Sequence, residues 1–187
     1  MSDSPAVEAA ERATENRRVA LLIAALALAL ALTEVAGDDA KTEAQMKNVA
    51  SANLWAFFQA RTIRQTVLGA EADRATFDAT QIADPAARAA LEQQVQKWRA
   101  TMARWESEPE TGEGRRELME RAKAAEAERD RAMHDDGRYD TASALLQVGI
   151  VLASAGIITG MVALAWVAGG LGVGGAALSA LTFAGLF

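Results

Sequence analysis

The sequence HDDGRYD, residues 134–140, joins the chain's one histidine to Asp135, Asp136 and Asp140, residue types suited to acid–base or metal chemistry. Its spacing is not that of a calcium loop, which alternates oxygen ligands and closes on a glutamate at position 12. A solvated helix end beside an apolar run is the competing account. A single histidine excludes a multi-histidine metal site, and the lack of cysteine excludes thiolate zinc, iron–sulfur and disulfide chemistry. No nucleophile elbow, phosphate loop or dinucleotide fingerprint is present, since the glycine-rich GGLGVGG lies inside an apolar run and not between a strand and a helix. The sequence therefore assigns no catalytic, cofactor-binding or metal-ligating residue, and the chain is not expected to be an enzyme.

The second group is NLWAFFQARTIRQ, residues 53–65, which gathers Trp55, Phe57, Phe58, Gln59, Arg61 and Arg64. Wound at 100° per residue, Trp55 shares a broad face with Ala52, Ala56, Gln59, Ile63 and Val67, while Phe57, Arg61, Arg64 and Leu68 fall opposite. Phe58 and Thr62 flank Trp55 on its other side. A helix with one neighbour and open water behind it has no use for aromatic side chains in three directions. It is expected either to lie in the middle of a bundle or to meet a second chain. Phe57 and Arg61 are one turn apart, so the guanidinium is expected over the ring while reaching a carboxylate on a facing helix. Three uses stay open: a packed core with snorkelling arginines, an oligomer interface, or an anion site on Arg61 and Arg64.

The elements that must position these residues follow from where the charges are. Residues 141–187 hold no Asp, Glu, Lys, Arg or His, and neither do residues 19–32. Between them, residues 37–140 carry 16 Lys or Arg against 20 Asp or Glu, a mildly acidic mixture that argues against a nucleic-acid partner. Residues 19–36 have Thr33 and Glu34 as their polar members and follow Arg17 and Arg18, which fits a first membrane span of about the minimum 17 residues. A signal peptide is the alternative, but the preceding segment, residues 1–18, is long and carries Glu8, Glu11 and Glu15.

The uncharged C-terminal stretch suits two spans of about 20 residues each. A turn near Gly160 gives spans over residues 141–159 and 161–184, whereas a break in GGLGVGG leaves the last one too short. GIITG and GLGVG have the small-xxx-small spacing that lets membrane helices approach closely, or are glycines merely tolerated in a span. Arg12, Arg17 and Arg18 favour a cytoplasmic N-terminus, with Arg129, Arg131 and Arg138 pulling the other way.

Residues 37–140 show no strand alternation and are expected to form three helices. The first starts at Asp38 or Asp39 and reaches at least Leu68, or continues the first span through Gly37. The second opens on Asp84 and Pro85, a coherent cap and first-turn pair. Its Leu91, Val95, Trp98, Met102 and Trp105 step by 4, 3, 4 and 3, a short coiled-coil seam. The third, residues 115–133, has a shallow stripe of Leu118, Ala122, Ala125, Ala132 and Met133 and a Glu117–Arg121 pair at i,i+4. HDDGRYD is expected to break it, with Gly137 turning and Asp140 capping the next helix.

The apolar N-terminal span, the W-A-F-F-Q-A-R-x-I-R run at Trp55–Arg64 and the H-x-x-x-x-Y-D stretch before a paired apolar C-terminus together resemble the bacterial membrane proteins called domain of unknown function 4337. The resemblance implies a three-span bacterial membrane protein with a helical insert, and no assigned activity. Members often carry basic residues between the last two spans, where this chain has the uncharged ITGMV.

The expectation is an all-α protein: three transmembrane helices with a helical, coiled-coil-like extramembrane insert between the first and second. Its partners would be the lipid bilayer and a second copy or another membrane protein. Trp55, Phe57, Phe58, Gln59, Arg61, Arg64, Trp98 and Trp105 are the candidate packing or interaction residues. The expected location is the bacterial cytoplasmic membrane with the insert on the periplasmic side. The expected role is a scaffold or accessory subunit, or else a minor component of a transport or channel system in which Glu34, Asp38, Asp39 and Asp140 attract cations.

Overall fold

The structure, a computed structural model, describes residues 5–186, and side chains from residue 13 on. Residues 1–4 of the polar N-terminal segment and the side chains of Glu8, Glu11 and Arg12 lie outside what is described. The described residues form helices α1 (Pro5–Gln81), α2 (Pro85–Glu106), α3 (Arg115–Thr159) and α4 (Val162–Phe183), with no strand. Stretches of α1, α3 and α4 are long and apolar enough to cross a membrane.

The helix bounds decide one open alternative and correct one expectation. α1 continues the first apolar run through Gly37, the second of the two readings above, and reaches past Leu68 to Gln81, so Asp38 and Asp39 cap nothing. HDDGRYD does not break α3 either: Gly137 is helical and Asp140 is an interior residue. One glycine in a helix costs about 1 kcal/mol. Here the turns on both sides are anchored by buried Ala132, Tyr139 and Ala142, and Arg138 donates to Asp135 at 2.9 Å, so the helix continues.

The chain divides into two compact units. One comprises α1 up to Ala44 and the chain from Asp130 on. Its interior combines small side chains, Ala142, Ala153 and Ala168, with buried Leu26 and Leu146, while Leu21, Leu28, Leu32, Ile158, Trp166 and Phe183 face outward. Outward apolar and inward small is the arrangement that suits helices in lipid. A Cβ on Gly172 would occupy the place of the Leu26 side chain, and one on Gly175 would lie 2.9 Å from the Ala142 carbonyl oxygen and 3.0 Å from Leu146. These two glycines set the close approach. Gly170 and Gly174 of the GLGVG pattern have open space around them, so that spacing is not what packs α4. Thr33, almost fully buried, donates to Ala29 O at 2.9 Å and accepts from the Ser179 hydroxyl at 3.0 Å. Gly160, with φ 69°, turns the chain between α3 and α4.

The other unit comprises Gln45–Arg129. Asp84 caps α2, accepting from the backbone N–H of Ala86 at 3.2 Å and of Ala87 at 3.3 Å, with Pro85 in the first turn. Val95 is buried against Ala72 and Ala75 of α1, and Leu91, Trp98 and Met102 pack on the same cluster. The seam of α2 from Leu91 to Met102 is therefore spent inside the chain. In this unit's part of α3, Leu118, Ala122 and Ala125 are buried; of the same expected stripe, Ala132 and Met133 belong to the first unit, where Ala132 is buried and Met133 exposed.

Candidate functional site

Trp55 leaves the face it was expected to share. Its indole N–H donates to Glu126 Oε1 of α3 at 2.8 Å, and its ring meets Phe58 edge-on at 5.4 Å between centroids. Ala56, Gln59, Ile63 and Val67 remain exposed. The cation over an aromatic face is Arg115, 5.6 Å from the Phe58 centroid, and not Arg61 over Phe57. Phe57 is 65% exposed, and Arg61 pairs instead with Glu113 at 3.0 Å.

Around Phe58 the polar groups bind one another. Arg115 grips Glu106 with Nε at 2.8 Å and Nη2 at 3.1 Å, the bidentate geometry its planar fork favours. Gln65 donates to Glu106 Oε2 at 3.3 Å and to Met102 O at 3.4 Å, tying α1 to the end of α2. The hydrogen bond from Arg115 holds the Glu106 carboxyl below its ordinary range, partly offset by burial, and the same pairing raises Arg115. Glu117 and Arg121 do not pair with each other as their spacing suggested. Glu117 accepts from Ser107 Oγ at 2.5 Å and from the Glu108 N–H at 3.2 Å, and the Ser107 bond first of all lowers its carboxyl. Arg121 donates to Gly112 O at 3.1 Å. Competition from loop groups outranks an i,i+4 pair worth only about 0.5 kcal/mol.

A shallow groove of about 400 Å³ opens beside this network, with Phe57, Arg61, Arg64, Glu113 and Arg121 among its walls. Of the candidate residues, then, Trp55, Phe58 and Arg61 hold the helices together, and Trp98 belongs to the α1–α2 core. Phe57, Gln59 and Arg64 lie open, and Trp105 is half-buried. Glu106, Glu113, Arg115 and Glu126 were missed in the sequence, where nothing distinguishes them from the other charged residues of the helices and of the α2–α3 connection. Gln65 stood at the edge of the quoted run without a role.

The family model described as Domain of unknown function (DUF4337) matches residues 15–185, nearly the whole chain. The chain belongs to the DUF4337 family. The match takes in the Trp55–Arg64 run of this DUF4337 chain together with all the groups that pack on it. No curated protein matches the chain, and no solved structure matches it.

The other candidate chemistry in this DUF4337 member sits in the unit that contains the apolar helices. His134 is exposed, and among the described residues no group of three or more His, Asp or Glu side chains is placed to hold a metal. Glu34, Asp38, Asp136 and Asp140 do line one polar groove of about 410 Å³, with Lys41 and Tyr139 among its other walls. Asp39 is not among those walls. Gln147 donates to Glu34 at 3.5 Å.

Proposed function

We propose that this is an integral protein of the bacterial cytoplasmic membrane that acts through protein–protein contacts, as a helical scaffold or accessory subunit without catalytic activity. In this reading residues 37–140 lie outside the bilayer, on the periplasmic side. The observation that carries it is the exposure of large apolar side chains outside the apolar runs: Met46, Val49, Phe57, Ile63, Val67 and Phe77 all stand more than half exposed on α1. Apolar side chains gathered on one element of a charged region are the mark of a contact surface. Arg61, Glu106, Arg115 and Glu126 nearby are meanwhile engaged within the chain. Native mass spectrometry in mild detergent tests the reading, with a complex of two or more chains as the expected result; a strict monomer without a co-purifying protein would sink it.

A transport or channel component is the second reading, favoured by the groove that gathers Glu34, Asp38, Asp136 and Asp140. Against it, the spans of α4 and the end of α3 carry no ionisable side chain, the usual mark of an ion path. Cation flux in liposomes that is unchanged by Glu34→Ala would dispose of this reading.

A further inference from the structure

The exposed residues of α1 beyond Ala44 are ordered. Met46, Asn53, Ala60 and Val67 recur every seven residues, and so do Val49, Ala56, Ile63, Ala70 and Phe77. The two sets alternate by 3 and 4, which makes them the a and d positions of four heptads. All are exposed except half-buried Ala60. The residues that α1 turns inward, Ser51, Phe58, Gln65, Ala72 and Ala79, share a seven-residue spacing of their own, at the f position on the far side of the helix. α1 thus has two faces, one consumed by its own chain and one, a regular seam, that the described residues leave open except at half-buried Ala60.

The geometry points to a second copy of this chain as the occupant, paired in parallel along α1 from Met46 to Phe77. This rests on the reading of the protein as one that works by association within a membrane. Two copies inserted with the same polarity carry α1 in the same direction, because α1 is one helix from the first apolar run to Gln81. Each a residue then meets its own counterpart, and Asn53 meets Asn53, the one polar a residue between Met46 and Val67. A side-chain amide is both donor and acceptor, so such a pair satisfies itself and fixes the register. At the far end Arg74, at the next a position, meets its own counterpart, and the like charges are offset by Asp78 of the same chain, 3.9 Å away, and by Asp73, at g, of the second copy. Burying the five large exposed side chains removes on the order of 1,200 Å² from the two copies together, the lower end of what specific interfaces bury. A strict seven-residue seam drifts about 20° per heptad on a straight helix, so the pair must coil left-handedly.

The cysteine-free chain lends itself to a direct test. Val49→Cys, Asn53→Cys and Ile63→Cys are each oxidised in native membranes, with Lys97→Cys on exposed α2 as reference. A disulfide needs Cα atoms within about 7 Å, so the three seam variants should form covalent dimers and the α2 variant should not. Ile63→Asp, placed in the Val49→Cys chain, should abolish its dimer while leaving the helical content unchanged, since Ile63 is exposed within one chain. Absent dimers at all three seam positions, or equal dimers at Lys97, would overturn the proposal. Native mass spectrometry of the unaltered chain then separates the two failures: a complex with a different protein overturns the second-copy seam alone, and a lone chain overturns the association reading as well.

Discussion

Trp55 is held by two interactions of different kinds, a hydrogen bond to a carboxylate and an edge-on contact with Phe58. Trp55→Phe keeps most of the ring contact and removes the donor, leaving Glu126 without its indole partner. It should lower stability by about 1 kcal/mol, read as a fall in the thermal midpoint in detergent. Trp55→Ala should lower it further, because the packing goes too. The Glu106–Arg115 pair predicts a pH dependence. The folded carboxyl titrates below the ordinary glutamate value of 4.5, so the folded state binds fewer protons than the unfolded state in that range. The pair's stabilisation is therefore fully present above that value and is lost as pH falls through the lowered one. Both side chains are about one-third exposed, so solvent screening limits the effect to about 1 kcal/mol or less. Glu106→Gln should lower the midpoint at neutral pH and flatten its decline on acidification. An unchanged acid limb would mean that other carboxyls, Glu117 among them, carry the dependence.

Elements were legible in the sequence where the signal is local. Asp84 and Pro85 open α2 because a cap and a first-turn proline act within one turn of chain, and both functions are visible in the bonds from Ala86 and Ala87. Gly160 follows from span arithmetic and stands in the left-handed region between two helices. Gly137 was misread for the opposite reason. Its sequence neighbours look like a turn, but the helix is decided by Tyr139 and Ala142, whose burial depends on chain far away in sequence. The same holds for the aromatic cluster: winding it onto a cylinder grouped the residues, while the partners Glu126, Arg115 and Glu106 come from other helices. The continuity of α3 makes its own prediction. A Cβ at Gly137 would meet nothing within 4 Å, so Gly137→Ala should stabilise the protein by about 0.5–1 kcal/mol. A destabilised variant would mean that the helix does bend or break there in solution.

At the scale of the molecule the open question is which side of the bilayer receives residues 37–140, and the charges frame it sharply. Arg17 and Arg18 precede the first apolar run, whereas the turn at Gly160 has no charge that could anchor the far hairpin. The opposing Arg129, Arg131 and Arg138 belong to a region longer than the loops over which basic residues govern orientation, so the N-terminal pair should prevail. The expectation is therefore that residues 37–140 lie outside the cytoplasm. Cysteine labelling in the connection between α2 and α3 reads this directly, at a position other than Gly112, where a φ of 67° would strain any side chain. Glu110 is exposed in the same connection. Glu110→Cys should react with a membrane-impermeant maleimide on intact cells, while Ala13→Cys should react only after permeabilisation. Reversal of the two patterns would place the helical region in the cytoplasm. Changing Arg17 and Arg18 together to glutamate should in turn weaken the bias, giving a mixed population in which both sites label in part before the cells are opened.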